Sequence, residues 1–387
     1  MKIPIKYNIR NLRVRWTTTT MTILGIGLVV WASVIAIGLI VGLMAGIGSS
    51  ADPLNLIVLR KGANSETESY FAKDTATVIA TLPGIATGSA GDPLASPEIV
   101  IITNTPRRDG TTANLVVRGV TERARDLRPG FRIVEGRDFQ PGVREAIASH
   151  RIASRFATAG LGESMSLRRG DFKIVGIFET NGGSAESEIW TDAGVLAQDQ
   201  SRSGSYSSLR LRADDSEALS ALEETIAEDE RIALKPVRET EYFQKQAQSA
   251  GAITGIGMAI ALILTVGAMF AAANTMYAAV AARAREIGTL RALGFPRRSI
   301  LISFILESIV LCFLGGIVGC ILALPVNGLS TGTVSWYTFS EVAFSFQINA
   351  PVLILGILLA TVTGILGGFF PAVRAVRLRI VDALREV

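Results

Sequence analysis

MTILGIGLVVWASVIAIGLIVGLMAGI, residues 21–47, carries no charged side chain, and a helix needs only about 20 such residues to cross a bilayer. The run is also far longer than the apolar core of a secretory signal, about 7 to 15 residues, and no convincing cleavage site surrounds it. It therefore reads as a retained helix. The same property recurs along the chain of 387 residues, 49% of them apolar, with a mean hydropathy of +0.39. The apolar residues are concentrated in uncharged blocks at 17–51, 246–282, 308–340 and 342–373 instead of being spread at core-forming intervals. That concentration excludes an ordinary soluble domain.

Orientation follows from lysine and arginine in the short flanks. Lys2, Lys6, Arg10, Arg13 and Arg15 precede the first block, and Arg283, Arg285, Arg291, Arg297 and Arg298 stand between the second and third against Glu286 alone. Arg374, Arg377, Arg379 and Arg385 follow the fourth, while 325–350 has no basic residue. Both termini are expected in the cytoplasm, which puts 52–245 outside. That segment holds 24 basic and 29 acidic residues, a net −5, so the overall basic balance reports membrane topology and not nucleic-acid binding.

The expected fold is a multi-pass α-helical membrane protein with four transmembrane helices and a large α+β extracytoplasmic domain inserted between helices 1 and 2. Its segments are a basic N-terminal helix at 1–16, a first span with stalk at 17–51, the outer domain at 52–245, a stalk and second span at 246–282, and a cytoplasmic helix at 283–298. A third span at 299–325, a short outer loop at 326–349, a fourth span at 350–373 and a cytoplasmic tail at 374–387 complete the chain. The first and second blocks would span over about 50 Å as helices against a hydrocarbon core of roughly 30 Å. The surplus is either helical stalk or, given Gly46, Gly48, Ser49 and Ser50, loop. In the outer domain, 55–60, 98–103 and 113–120 read as strands, 164–168 and 172–178 as a hairpin about Arg169, Gly170 and Asp171, and 144–158 and 216–229 as helices.

Little here supports catalysis. There is no G-x-x-x-x-G-K-[ST] phosphate loop, G-x-S-x-G, H-E-x-x-H or CxxC, so ATP hydrolysis by the phosphate-loop route is excluded on this chain. His150 is the lone histidine and reads as a surface residue. Cys312 and Cys320 sit about 12 Å apart on one helix, too far to bond. No catalytic residue, metal or cofactor is expected on the chain.

The informative stretch is RAREIGTLRALGFPRRS, residues 283–299. Ile287, Leu290 and Leu293 fall at helical spacing, and Gly294 with Pro296 just beyond supplies a helix stop. The residues alone fit either a helix lying in the lipid headgroups or one presented to a partner. Within the membrane, Gly38, Gly42 and Gly46 make two G-x-x-x-G spacings that suit packing inside the chain or dimerisation. Glu307, near mid-bilayer, calls for a polar contact or, as the lesser alternative, a proton relay.

RAREIGTLRALGFPRRSI, continuing into FILESIVLCFLGGIVGCILA (304–323) and ending in FFPAVRAVRLRIVDALREV, resembles the FtsX-like permease domain of MacB-type, mechanotransmission ABC transporters. YNIRNLRVRWTTTTMTILGIGL resembles that family's N-terminal helix and first span, and VVRGVTE, VEGRDF, REAIAS and FKIVGIFETNGGSAESEIW resemble the MacB-type periplasmic core. The resemblance implies a non-catalytic permease subunit of the bacterial inner membrane. It would couple ATP hydrolysis to extracytoplasmic movement or export of a lipid, lipoprotein, peptide or drug. MacB carries its ATPase on the same chain, whereas this sequence starts at the membrane, so a separate cytoplasmic ATPase holding ATP and Mg2+ is expected. Arg283, Arg285, Glu286, Ile287, Gly288, Leu290, Arg291, Leu293 and Gly294 would then form the ATPase-coupling helix, and Glu307, at the place of a glutamate common in the family, a structural contact. Further implied partners are a second permease copy, membrane lipids, a periplasmic adaptor and an outer-membrane channel. The alternative is an FtsX-like signalling module that regulates a cell-wall hydrolase.

Overall fold

The computed structural model describes residues 16–48, 51–88, 91–128, 130–180, 183–229, 231–249, 251–334 and 340–377. The expected helix at 1–16 therefore lies, but for Trp16, outside the described residues, as does the tail beyond Arg377. The chain divides into a membrane unit, 1–41 with 253–329 and 346–387, and an outer unit, 42–252 with 330–345.

Helix α1 (Trp16–Gly48) runs unbroken for 33 residues. Its Thr20 and Thr22 hydroxyls donate to the carbonyls of Trp16 and Thr18 at 2.7 and 2.8 Å, which satisfies polar groups inside an apolar helix. The outer unit follows with β1 (Asn55–Arg60), β2 (Phe71–Ala72), α2 (Lys73–Ile79), β3 (Ala95–Pro106), β4 (Thr112–Val120), β5 (Arg132–Gly136), β6 (Glu145–Ser149), α3 (His150–Arg155), β7 (Ser164–Ser166) and β8 (Asp171–Glu179). Next come β9 (Glu188–Asp192), α4 (Ala193–Asp199), β10 (Ser205–Tyr206), β11 (Ser208–Arg212), α5 (Ser216–Glu228), β12 (Leu234–Arg238) and α6 (Glu239–Ser249).

Most of these strands join one mixed sheet ordered β12-β1-β11-β3-β4-β9-β6-β8-β5, with β7 paired to β8. Two pairs are parallel, β4 with β9 and β6 with β8; the others are antiparallel. β12 ends the sheet, where Pro236 can occupy a strand without removing a needed donor. Strand β1 is covered on both faces: Leu56 and Val58 pack with Leu219, Leu222 and Ile226 of α5, and Ile57 and Leu59 with Tyr242 and Phe243 of α6. Each of these aliphatic side chains gains about 1.5–3 kcal/mol from burial. Asp215 caps α5 by accepting from the amides of Glu217 and Ala218 at 2.9 and 2.8 Å.

One expected helix is corrected. The helix anticipated at 144–158 is strand β6 followed by the short α3. Ala146, Ile147 and Ala148 are buried on both faces between β9 and β8, and a short run buried all round has no helical stripe to distinguish it from a strand. Ser149 then starts the helix, its hydroxyl accepting from the amide of Ile152 at 3.2 Å.

The membrane unit continues with α7 (Gly251–Ala281), α8 (Ala284–Ala292) and α9 (Arg297–Ala323). The segment expected as a short loop forms the hairpin β13 (Ser330–Val334) and β14 (Glu341–Ser345), which belongs to the outer unit. Helix α10 (Ala350–Arg377) is the last described element, its first turn capped by the Asn349 side chain, which accepts from the amide of Val352 at 3.2 Å. Among the described residues, four helices are long and apolar enough to cross a membrane: Trp16–Ala45, Thr254–Ala281, Arg297–Val326 and Ala350–Arg377. The chain is an integral membrane protein with a large α+β domain placed between its first and second spans.

Glycines set the close contacts among these helices. A Cβ added at Gly319 would lie 2.5 Å from the carbonyl of Gly27, and one at Gly368 would lie 2.6 Å from Ser308 Cβ. Neither position admits a larger residue without separating the helices. Gly38 is likewise used within the chain, since its carbonyl accepts from the amide of Gln347 at 3.1 Å and a Cβ there would stand 3.1 Å from Ile348 Cγ1. Gly42 is buried, while the surroundings of Gly46 lie outside the described residues.

Candidate coupling site

The turn from α7 into α8 is built around Arg283. Its Nη1 and Nη2 donate to Glu307 Oε2 and Oε1 of α9, both at 2.8 Å, and both side chains are about 95% buried, with exposures of 6% and 5%. Opposite charges in bidentate geometry suit such a place, because either alone in the low-dielectric interior is strongly disfavoured. Thus the polar partner anticipated for Glu307 is Arg283. The arginine grouped with the partner-facing residues turns inward and ties the base of α8 to α9.

Helix α8 is two-faced. Ala284, Ile287 and Gly288 are buried, whereas Arg285, Glu286, Thr289, Ala292 and Leu293 are exposed, and Leu290 and Arg291 are half-buried. Arg291 Nη1 donates to the carbonyl of Val376 in α10 at 3.3 Å, an anchor consistent with its partial burial. The helix stops as its sequence requires: Gly294, at φ +90°, donates to Arg291 O at 3.1 Å, and Phe295 N donates to Leu290 O at 3.1 Å. This pair of bonds is the Schellman arrangement, which an L side chain at Gly294 would strain. Of the nine residues read as partner-facing, Arg283, Ile287 and Gly288 therefore pack into their own chain. A bulky residue at Gly288 would first disturb that packing. The outward surface comprises Arg285, Glu286, Thr289 and Leu293, with Leu290 and Arg291 at its edge.

A second cluster, in the outer unit, escapes sequence reasoning. Arg118 of β4 is 4% exposed and meets three carboxylates. It donates to Glu66 at 2.8 and 2.8 Å, to Glu98 at 2.7 Å and to Glu188 at 2.8 and 2.7 Å. Arg128 chelates Glu98 at 2.8 and 2.8 Å and stands over the Trp190 ring, 4.7 Å from its centroid. Trp190 Nε1 and Ser208 Oγ donate to Glu188 and Glu66 at 2.8 and 2.7 Å. Burial alone would raise the Glu66 and Glu98 carboxyls, but the adjacent guanidiniums outweigh it and hold both below the ordinary carboxylate range. VVRGVTE and SAESEIW contain Arg118, Glu188 and Trp190, yet no periodicity marks charges that meet only after segments 20 to 70 residues apart come together. Among the described residues no group of three or more His, Cys, Asp or Glu side chains is arranged to hold a metal.

The profile of the MacB-like periplasmic core domain matches residues 19–229, over half of the chain, and that of the FtsX-like permease C-terminal domain matches residues 258–380. The chain is similar to the macrolide export ATP-binding/permease protein MacB of Bordetella avium, with 27% identity over 397 residues, 95% of this chain and 57% of that protein. It is similar also to MacB 1 of Aeromonas hydrophila, with 25% identity over 311 residues, 74% of this chain and 46% of that protein. It spans about half the length of these two curated relatives. Among solved structures, the periplasmic region of MacB from Actinobacillus actinomycetemcomitans aligns with 10% identity and a TM-score of 0.38, covering 50% of this chain and 93% of that one. By its two matched domains, placed in this order around four spans, the chain belongs to the MacB-like family of ABC transporter permeases.

Proposed function

We propose that this chain is a non-catalytic permease subunit that couples ATP hydrolysis on a cytoplasmic ABC ATPase to work by its outer unit on an amphipathic substrate such as a lipid, lipoprotein, peptide or drug. The observation that carries this reading is α8, a short helix stopped at both ends whose inner face is keyed to α9 by the Arg283–Glu307 pair and to α10 by Arg291. A push on its outer face would pass into the spans instead of being absorbed by a loose loop. ATP and Mg2+ belong to the ATPase on this reading, a second permease copy and lipid cover the exposed apolar sides of the spans, and a periplasmic adaptor and an outer-membrane channel would extend the path. Both termini and α8 face the cytoplasm of a bacterial inner membrane, with the outer unit beyond it.

Glu286, exposed on the outer face of α8, tests the interface. At a protein interface, loss of one partner of a charge pair costs about 2 to 5 kcal/mol, whereas in lipid headgroups a single charge contributes roughly 1 kcal/mol. Glu286→Lys is therefore expected to abolish stimulation of the ATPase by the permease while membrane insertion and the outer fold persist. Full stimulation by an assembled Glu286→Lys complex would contradict this role for α8.

A further inference from the structure

The hairpin β13–β14 is part of the outer unit, yet short connections, 324–329 and 346–349, join its two ends to α9 and α10 of the membrane unit. It is fastened by one buried carboxylate. Glu341, the first residue of β14, is 0% exposed and lies between two arginines. Arg107, at the end of β3, donates from Nε and Nη2 to Glu341 Oε2 at 2.9 and 2.6 Å. Arg155, the last residue of α3, places Nη2 2.5 Å from Oε1. Gly332 of β13 makes room for this arrangement, since a Cβ there would collide with both the Arg155 guanidinium and Glu341 Oε1, and would approach Arg155 Cζ to 2.9 Å.

The fastening leads further inward. Two residues beyond Glu341, Ala343 N donates to Ser187 Oγ at 2.8 Å, and Ala343 O accepts from Arg151 Nη1 at 3.3 Å. Ser187 is followed at once by Glu188, which holds Arg118. A continuous path of bonds thus runs from the chain entering and leaving α9 and α10, through Glu341 and Ala343, to the charged centre of the sheet. Simple burial of a hairpin needs no such clamp; an apolar pair of similar volume would stabilise it as well or better, whereas an ion pair fixes one geometry.

We propose that Glu341, held by Arg107 and Arg155, is a positioning residue that makes the hairpin a transmitting strap, through which movements of α9 and α10 reach the Arg118 cluster alongside those carried by α1 and α7. The proposal rests on the coupling reading above. It is tested with the full permease–ATPase complex in lipid nanodiscs, comparing backbone hydrogen exchange without nucleotide and after trapping with MgATP and vanadate. In the unsubstituted complex, trapping is expected to change exchange in α8 and in β9. With Glu341→Ala, and with Gly332→Val, whose side chain would crowd both the Arg155 guanidinium and Glu341 Oε1, the α8 change should persist and the β9 change should disappear. Protection of the β14 amides should then fall by about tenfold or more, as for the loss of charge-assisted hydrogen bonds. Arg155→Gln, which leaves Arg107 on the carboxylate, should give a smaller loss and decides the matter should the other two variants unfold. An unsubstituted complex in which α8 does not respond overturns the coupling reading and the strap together; one in which α8 responds but β9 does not overturns the strap alone. A β9 response of undiminished size in the folded variants would also overturn it.

Discussion

Glu307→Ala is expected to leave the permease inserted but with a sharply lowered melting temperature and no stimulation of its ATPase. The substitution removes one member of a pair that is about 95% buried and leaves the Arg283 guanidinium, which stands over the Phe304 ring, without a carboxylate beside a cavity lined by Thr22, Thr275, Met276 and Leu311. Breaking a buried pair in this way costs about 3–5 kcal/mol, a large share of a typical folding free energy of about 5–15 kcal/mol. Glu307→Gln keeps acceptor oxygen but not charge and should fall between. Exchanging the charges, Arg283→Glu with Glu307→Arg, should restore part of both properties, a rescue that separates a specific pair from a general need for polarity. Thermal melts in detergent and ATPase assays in nanodiscs check each variant. A Glu307→Ala protein that melts and couples like the parent would remove the lock from the account.

Arg118→Met should have a comparable effect on the outer unit, with a distinctive pH dependence. In the parent, Glu66 and Glu98 titrate below their ordinary value of 4.5 because, although burial opposes it, Arg118 and Arg128 favour the charged forms. Carboxyls whose folded-state pKa is depressed contribute stability above their unfolded value, and that contribution is lost as pH falls from about 4.5 through the folded values. Without Arg118, the Glu66 and Glu188 carboxylates keep their burial and lose their main counter-charge. Burial then raises the folded-state pKa of Glu66, so its protonation relieves the site and stability recovers as pH falls toward 4.5. The variant should therefore be destabilised by several kcal/mol at neutral pH, of the order found when a buried pair is broken, and the gap should begin to narrow as pH falls toward 4.5, where the variant recovers, and narrow further below it, where the parent loses stability. Exchange protection of the β4 and β9 amides, followed against pH in the full chain, measures this. A gap that stays constant down to pH 3 would show that Arg118 acts by packing alone.

The membrane architecture was legible because it rests on a local property: uncharged runs such as 21–47 report a span from composition, whatever they touch. Strand β1 and helix α5 were legible for a similar reason, since NLIVLR is bounded by turn residues and α5 carries Leu219, Leu222 and Ile226 on one face with a capping aspartate before it. Strand β6 was not, because AIA is too short and too uniformly buried to show a period. In α8 the helix and its stop could be read from RAREIGTLRALGFP, but not which side faces its own chain: Arg283 looks like one more cytoplasmic arginine until Glu307, 24 residues on, is brought opposite it. Glu341 carried a clue, being an acid in a stretch without any basic residue. Its partners Arg107 and Arg155 lie 234 and 186 positions away, a pairing only the assembled outer unit reveals.

The claim on which these roles depend is that α8 and the outer unit lie on opposite sides of the membrane. Single cysteines at Ser203 and Ala292, both exposed, test it directly in intact cells and in inverted vesicles with a membrane-impermeant maleimide, the native Cys312 and Cys320 being buried. Labelling of the Ser203 position from outside and of the Ala292 position only from the cytoplasmic side is the expected result. Labelling of the Ala292 position from outside would place α8 beyond the reach of a cytoplasmic ATPase and contradict the account.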